Sequence, residues 1–120
     1  MKLSLPFPSA ELSGHAKGHW RSHSTPTADH RRDAYLLTLE AAGTSLSEVR
    51  AAFAGKGDIP VHFRFVPPDR RGDRWNFPHR AKAQADGIAD ALQVNDKRFL
   101  PTFEFAAPEK ANPRVEVTLG

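Results

Sequence analysis

Asp73 and Asp96 bracket a stretch with helical periodicity, the first in the polar loop before it and the second in the Asn95-Asp96 turn after it. A helix between them can bring both carboxylates to one edge of a fold. Hard cations such as Mg²⁺ take carboxylate oxygens together with water. Ions held in this way activate a water and stabilise the leaving oxygen of a phosphodiester. Lys82, on the intervening helix, can neutralise phosphate charge. The same residues also suit plain structural uses: Asp73 as a loop or pre-cap residue, Asp96 in an Asn-Asp turn, and Lys82 paired with Asp86 one turn further on.

Around these residues the charge is uneven. The chain of 120 residues has 17 basic and 14 acidic side chains, a formal +3 that is too slight to mark a nucleic-acid binder by itself. Arg64, Arg70, Arg71, Arg74, Arg80 and Lys82 nevertheless fall within one short stretch, so a positive field would be local; a solvated loop is the other reading of such a cluster. Trp75 beside Arg74 can stack on an exposed nucleobase. Large aromatics are usually buried, so the expectation is that Trp75 covers the core under the loop. His79 can carry a proton or touch a phosphate, or simply be an exposed first-turn histidine. His15, His19 and His23 have helical metal-site spacing, but Gly14, Gly18 and Ser24 argue against a helix there. With Lys17 and Arg21 they read as an arm touching phosphates.

The elements that must position these residues follow from periodicity. Leu3 and Leu5 alternate ahead of Pro6-Phe7-Pro8, a short first strand. Residues 9–25 are rich in Gly, Ser and His and read as an irregular arm. Thr25 or Thr27 can cap a helix with Pro26 in its first turn and an apolar stripe of Tyr35, Leu36, Leu39 and Ala42, ending at Gly43. Ser45 and Glu48 have capping-box spacing for a short second helix. Val61, Phe63 and Phe65 define a strand that leads into Pro67-Pro68-Asp69. Asn76 can cap the central helix, whose stripe is Phe77, Ala81, Ala85, Ile88 and Leu92. Lys82, Asp86 and Asp90 form a row on its other side, and Gly87 slightly weakens it. Two closing strands, Phe99 to Phe105 and Arg114 to Leu119, carry Phe103, Phe105, Val115, Val117 and Leu119 inward. The expected fold is a two-layer α+β domain over residues 1–120, a mixed sheet of about four strands with helices on one face.

Composition removes several classes. Without cysteine there is neither a disulfide framework nor a thiolate zinc site, so any metal must sit on carboxylates, histidines or carbonyls. No run of apolar residues is long enough to span a membrane and no signal peptide is recognisable, so a cytoplasmic protein without a membrane partner is expected.

The run Pro67-Pro68-Asp69-Arg70-Arg71-Gly72-Asp73-Arg74-Trp75-Asn76 resembles the signature of the RusA-type Holliday-junction resolvases, a basic turn followed by Asp-x-Asp-Asn. Lys82, the run Asp86-Gly87-Ile88-Ala89-Asp90-Ala91-Leu92, and Asp96 resemble that family's helix and terminal acidic turn. Leu5-Pro6-Phe7-Pro8 looks like its opening strand, and Leu12-Ser13 through His19-Trp20 like a segment of its phage-type members; residues 45–57 would be an insertion. The resemblance implies a homodimeric, Mg²⁺-dependent endonuclease (Mn²⁺ being an alternative ion) that cuts four-way DNA junctions in recombination and repair. It would make Asp73 and Asp96 metal ligands, Lys82 a phosphate or transition-state contact, and Asn76 a residue shaping the metal loop. Arg70, Arg71, Arg74, Trp75, His79, Arg80, Lys17 and Arg21 would face DNA. The family's second aspartate falls on Trp75, and an indole cannot bind Mg²⁺ as a carboxylate does. Asp86, Asp90, Asp69 or water must then supply the missing oxygen; Asp86, one turn beyond Lys82, is the best placed. Two alternatives stand beside the nuclease: a branched-DNA-binding protein that does not cleave, and an interaction module whose sheet edge pairs with a partner.

Overall fold

The computed structural model describes residues 1–10 and 20–120. Strand residues alternate between faces, and on β1 (Lys2–Pro6) and β2 (Ile59–Val66) that rule buries Leu3, Leu5, Val61, Phe63 and Phe65 together. Two further strands, β3 (Phe99–Phe105) and β4 (Arg114–Leu119), complete a sheet in the order β1-β4-β2-β3. β4 is antiparallel to both of its neighbours, whereas β3 runs parallel to β2, with Phe63 opposite Phe103 and Phe65 opposite Phe105. The sheet is therefore mixed, and the expected α+β class and strand count are correct.

Four helices accompany it among the described residues: α1 (Trp20–Ala42), α2 (Leu46–Phe53), the single turn α3 (Phe77–Arg80) and α4 (Lys82–Leu92). The expected central stripe is real: Phe77, Ala81, Ile88 and Leu92 are buried against Val61, Phe63, Phe65, Val115 and Val117, and Ala85 is partly buried beside them. The contact between α1 and α4 is closer than side chains would allow. A Cβ added at Gly87 would meet the Arg31 carbonyl oxygen at 2.2 Å and the Ala34 Cβ at 2.9 Å. Gly87 thus serves close backbone approach, and its effect on helix propensity is secondary.

Several local expectations need correction. α1 begins at Trp20 and carries Pro26 in its interior, so the irregular arm is shorter than residues 9–25. Intrinsic propensity is a weak guide where downstream turns are packed, and the seat on α4 supports this helix. Residues 11–19, including His15, Lys17 and His19, lie outside the described residues, as do the side chains of Arg21 and His23. The buried face of α1 is Ala34, Thr38 and Ala42, while Leu36 is 52% exposed. Small residues win there because the helices approach so closely. The capping box does not form: Ser45 makes no side-chain cap, and its backbone (φ −91°, ψ 12°) belongs to the 3-10 turn Gly43–Ser45 that runs into α2 rather than to the extended conformation of an N-cap. No helix among the described residues is long and apolar enough to cross a membrane.

The other face of the sheet is polar. Arg64 bridges Glu104 and Glu116, Arg114 joins Glu116 to Glu109, and His62 meets Thr102 and Glu104. All helices discussed above bury their apolar residues on the opposite side, which leaves two layers.

Candidate functional site

The loop after β2 is held by its own short-range bonds. The Asp69 carboxylate accepts from the Arg71 N–H at 2.9 Å, and the Asp73 carboxylate accepts from the Trp75 N–H at 3.0 Å. Asp73 thereby caps a 3-10 turn, Arg74–Asn76, that leads into α3. Asn76 was expected to be the capping side chain, but it makes no such bond, because Asp73 has taken that role one turn earlier. Gly72 lies on the Phe77 ring: a Cβ there would come within 2.8 Å of Cε1. Phe77 is itself gripped edge-on by Phe7, with ring centroids 5.0 Å apart, so the loop rests on a rigid aromatic base.

The carboxylates divide into two places. Lys82 Nζ donates to Asp96 Oδ2 at 2.7 Å and to Asp86 Oδ1, joining the start of α4 to the turn after it. Asn95 Oδ1 accepts from the Lys97 N–H and fixes that turn, Asp96–Arg98. Burial opposes the charge on Lys82, but hydrogen bonds to Asp86 and Asp96 outweigh it and hold the lysine above its ordinary pKa. The Lys82 hydrogen bond conversely holds the Asp96 carboxyl below the usual aspartate value, against a smaller opposing effect of burial. Asp90 leaves the row to pair with Arg31 at 2.7 and 3.0 Å. Among the described residues, no three His, Asp or Glu side chains gather closely enough to hold a metal ion. The structure thus brings Asp86, Asp96 and Lys82 together, and Asp73 is engaged with the Trp75 backbone.

The basic residues also separate. Arg70, Arg71, Arg74 and His79 are exposed. Arg80, expected among them, is interior at 9% exposure. Its Nη2 donates to the Pro8 carbonyl at 2.7 Å and its Nε to that of Ser9 at 3.2 Å, with the guanidinium over the rings of Phe7 and Phe77. Desolvation lowers its pKa, and the aromatic faces and carbonyls replace water around the cation. Arg80 ties the exit of β1 to α3.

Trp75 reverses the expectation that it covers the core, since it is 91% exposed. It forms one wall of an open cleft of about 380 Å³ with Arg74, Pro78, Phe103 and Phe105. Phe103 and Phe105 do lie on the helix-side face of the sheet, but each is 42% exposed because β3 is the edge strand, with a neighbouring strand on one side alone. A second hollow, of about 150 Å³, shares Pro78 and Phe103 with the first and is lined also by Lys82, Asp96 and Phe99. One apolar groove therefore runs along β3, from the Lys82–Asp96 pair to Trp75 and Arg74. The sequence reading missed this groove. Pro101 was its available signal, since proline within a sheet is confined to edges or bulges.

No protein-family model matches this chain. A protein of Xylella fastidiosa (strain Temecula1 / ATCC 700964), described only as "Uncharacterized protein", is 35% identical over 99 residues. The match takes in 82% of this chain, which spans 61% of that relative's length.

Proposed function

We propose that the chain is a RusA-like, Mg²⁺-dependent endodeoxyribonuclease that acts on four-way DNA junctions in the cytoplasm as a homodimer. The observation that carries this reading is the convergence of Asp86 and Asp96 on Lys82 at one end of a groove whose other end holds Arg74 and Trp75. The order of these residues along the chain is that of the resemblance stated above. Oxygen donors of this type fit Mg²⁺, which is commonly held by one or two carboxylates, waters and substrate phosphates rather than by a closed protein cage. Asp86 and Asp96 would hold the ion, which when bound supplies an activated water and neutralises charge on the phosphodiester.

The chain's own residues do the rest. Lys82 balances the two carboxylates in the free protein, and its ammonium is the natural partner for a phosphate oxygen brought to the same place. Asp73 fixes the turn that presents Arg74 and Trp75. Arg70, Arg71 and Arg74 meet the backbone of the DNA, contacts that position without reading sequence.

A second reading is favoured by one observation: among the described residues no third carboxylate joins Asp86 and Asp96, and an indole stands at the position where the family it resembles has an aspartate. In that reading the protein binds branched DNA without cutting it. A labelled four-way junction, incubated with the protein and Mg²⁺ or Mn²⁺, separates the two. Nicking that disappears in Asp96→Asn supports the nuclease. Tight, salt-sensitive junction binding without nicking under either metal overturns it in favour of the binder. Absence of any junction binding overturns both. The sheet-edge interaction module has less behind it, because Pro101 has no N–H to offer an added strand at the β3 edge.

A further inference from the structure

We infer that the cleft between Trp75 and the Phe103–Phe105 pair is a stacking pocket for one unpaired nucleobase, with Arg74 holding the adjoining phosphate. This rests on the DNA reading above and adds to it the part of the substrate that is recognised.

A tryptophan exposed to 91% loses the gain of burying its largest apolar surface, and nothing in its own turn covers it. Its turn is nevertheless ordered: the Asp73 carboxylate holds the Trp75 N–H at 3.0 Å, and the Asn76 N–H bonds the Asp73 carbonyl at 3.0 Å. The indole is presented, on a backbone that cannot readily withdraw it. Lining the same cleft are two half-exposed phenylalanine rings and Pro78. At about 380 Å³ the cleft lies within the roughly 300–1,000 Å³ typical of small-molecule sites.

Charge selects the occupant. Among the described residues, the one charged side chain lining the cleft is that of Arg74, and Arg70 and Arg71 are exposed on the same loop. An apolar slot with one guanidinium at its edge suits a flat aromatic ring that carries a negative tail, the description of a nucleotide. A second copy of this chain fits less well, since a two-fold contact here would set Arg74 against Arg74. A base within a duplex has both faces covered by its neighbours, so only an unstacked base can enter. The pocket therefore discriminates strand crossovers, flaps and single strands from continuous duplex, and does so without a base-specific hydrogen bond. The groove from this cleft to Lys82 would carry the backbone of the same strand toward Asp86 and Asp96.

The chain has two tryptophans, Trp20 and Trp75, so Trp20→Phe leaves Trp75 as the only indole and makes its fluorescence the direct report. Titration with single-stranded DNA and with a four-way junction should quench it strongly, and titration with a blunt duplex should not. In the otherwise unchanged chain, Trp75→Ala should weaken single-strand and junction binding about tenfold or more, the loss expected for one base–aromatic stack. Its duplex binding and thermal midpoint should be unchanged, and Trp75→Phe should retain most of the affinity. Quenching by duplex equal to that by single strands, or junction binding that neither quenches Trp75 nor weakens in Trp75→Ala, overturns the pocket and leaves the DNA reading intact. No binding to any of the three DNAs overturns the DNA reading itself, and the pocket with it.

Discussion

Replacing Gly87 by alanine sets two effects of opposite sign against each other. In a helix interior the change is intrinsically favourable by about 0.8–1.0 kcal/mol, because glycine gives up more backbone freedom. At this position, however, the new Cβ would sit 2.2 Å from the Arg31 carbonyl oxygen, 2.9 Å from the Ala34 Cβ and 3.0 Å from the Tyr35 nitrogen. Two of these atoms are backbone, so no side chain can rotate aside; α1 must back away by at least roughly 1 Å to restore ordinary contact. Overpacking of this kind costs about 1–3 kcal/mol and sometimes more. The displacement also loosens Ala34 and Thr38, which are fully buried on the same face, so the upper part of that range applies. A net destabilisation of about 2 kcal/mol is expected, which for a domain of this size lowers Tm by about 8 °C. Circular dichroism melts and urea titrations measure it, with Cm falling at constant m. A Tm equal to or above that of the parent would show that α1 is not seated on Gly87, and the account of the helical layer would fail with it.

The lysine–carboxylate cluster makes a prediction about protonation. The Asp96 carboxyl titrates below its ordinary value, chiefly through its hydrogen bond to Lys82, so the stability it contributes is present above the unfolded value of 3.8 and is lost as pH falls through the folded pKa. Lys82→Met leaves Asp86 and Asp96 as neighbouring like charges, and the Asp96 pKa measured by carboxyl NMR should move up to or past 3.8; an unmoved value would refute the pairing. Arg80→Met should destabilise by about 1–3 kcal/mol by removing the guanidinium hydrogen bonds to the Pro8 and Ser9 carbonyls. Urea unfolding measures this, and a variant that loses DNA affinity while keeping its full stability would return Arg80 to the surface set.

Much of the architecture was legible because it rests on short-range rules. Alternation at Leu3 and Leu5, at Val61 to Phe65 and at Val115 to Leu119 identifies strands whatever their order, and the stripe from Phe77 to Leu92 identifies a helix face. The order of strands is a property of the whole chain. Phe103 and Phe105 alternate as cleanly as Phe63 and Phe65, and nothing in their spacing says that β3 lies at the sheet edge. Arg80 was grouped with its basic neighbours because charge is visible in a sequence and an aromatic cradle built from Phe7 and Phe77, distant in the chain, is not. Asp73 was read both as a potential ligand and as a loop or pre-cap residue, and its bond to the Trp75 N–H is the second of these uses. The approach of Asp86 and Asp96 to Lys82 was half visible, as a four-residue step on one helix; the other half needed the turn that Asn95 closes.

Parallel pairing of β2 with β3 has a consequence in time. Antiparallel neighbours can be joined by a tight hairpin, but parallel ones need a crossover between them, and here that crossover is the stretch from Pro67 to Arg98 that holds Asp73, Trp75, Lys82, Asp86 and Asp96. Such non-local pairings are slow to form, because loop-closure entropy must be met before their contacts stabilise anything. The groove has one wall on the crossover and the other on β3, so it comes into being only when the β2–β3 pairing closes. A chain in which β3 has yet to pair with β2 would carry every residue of the candidate site without the groove that joins them.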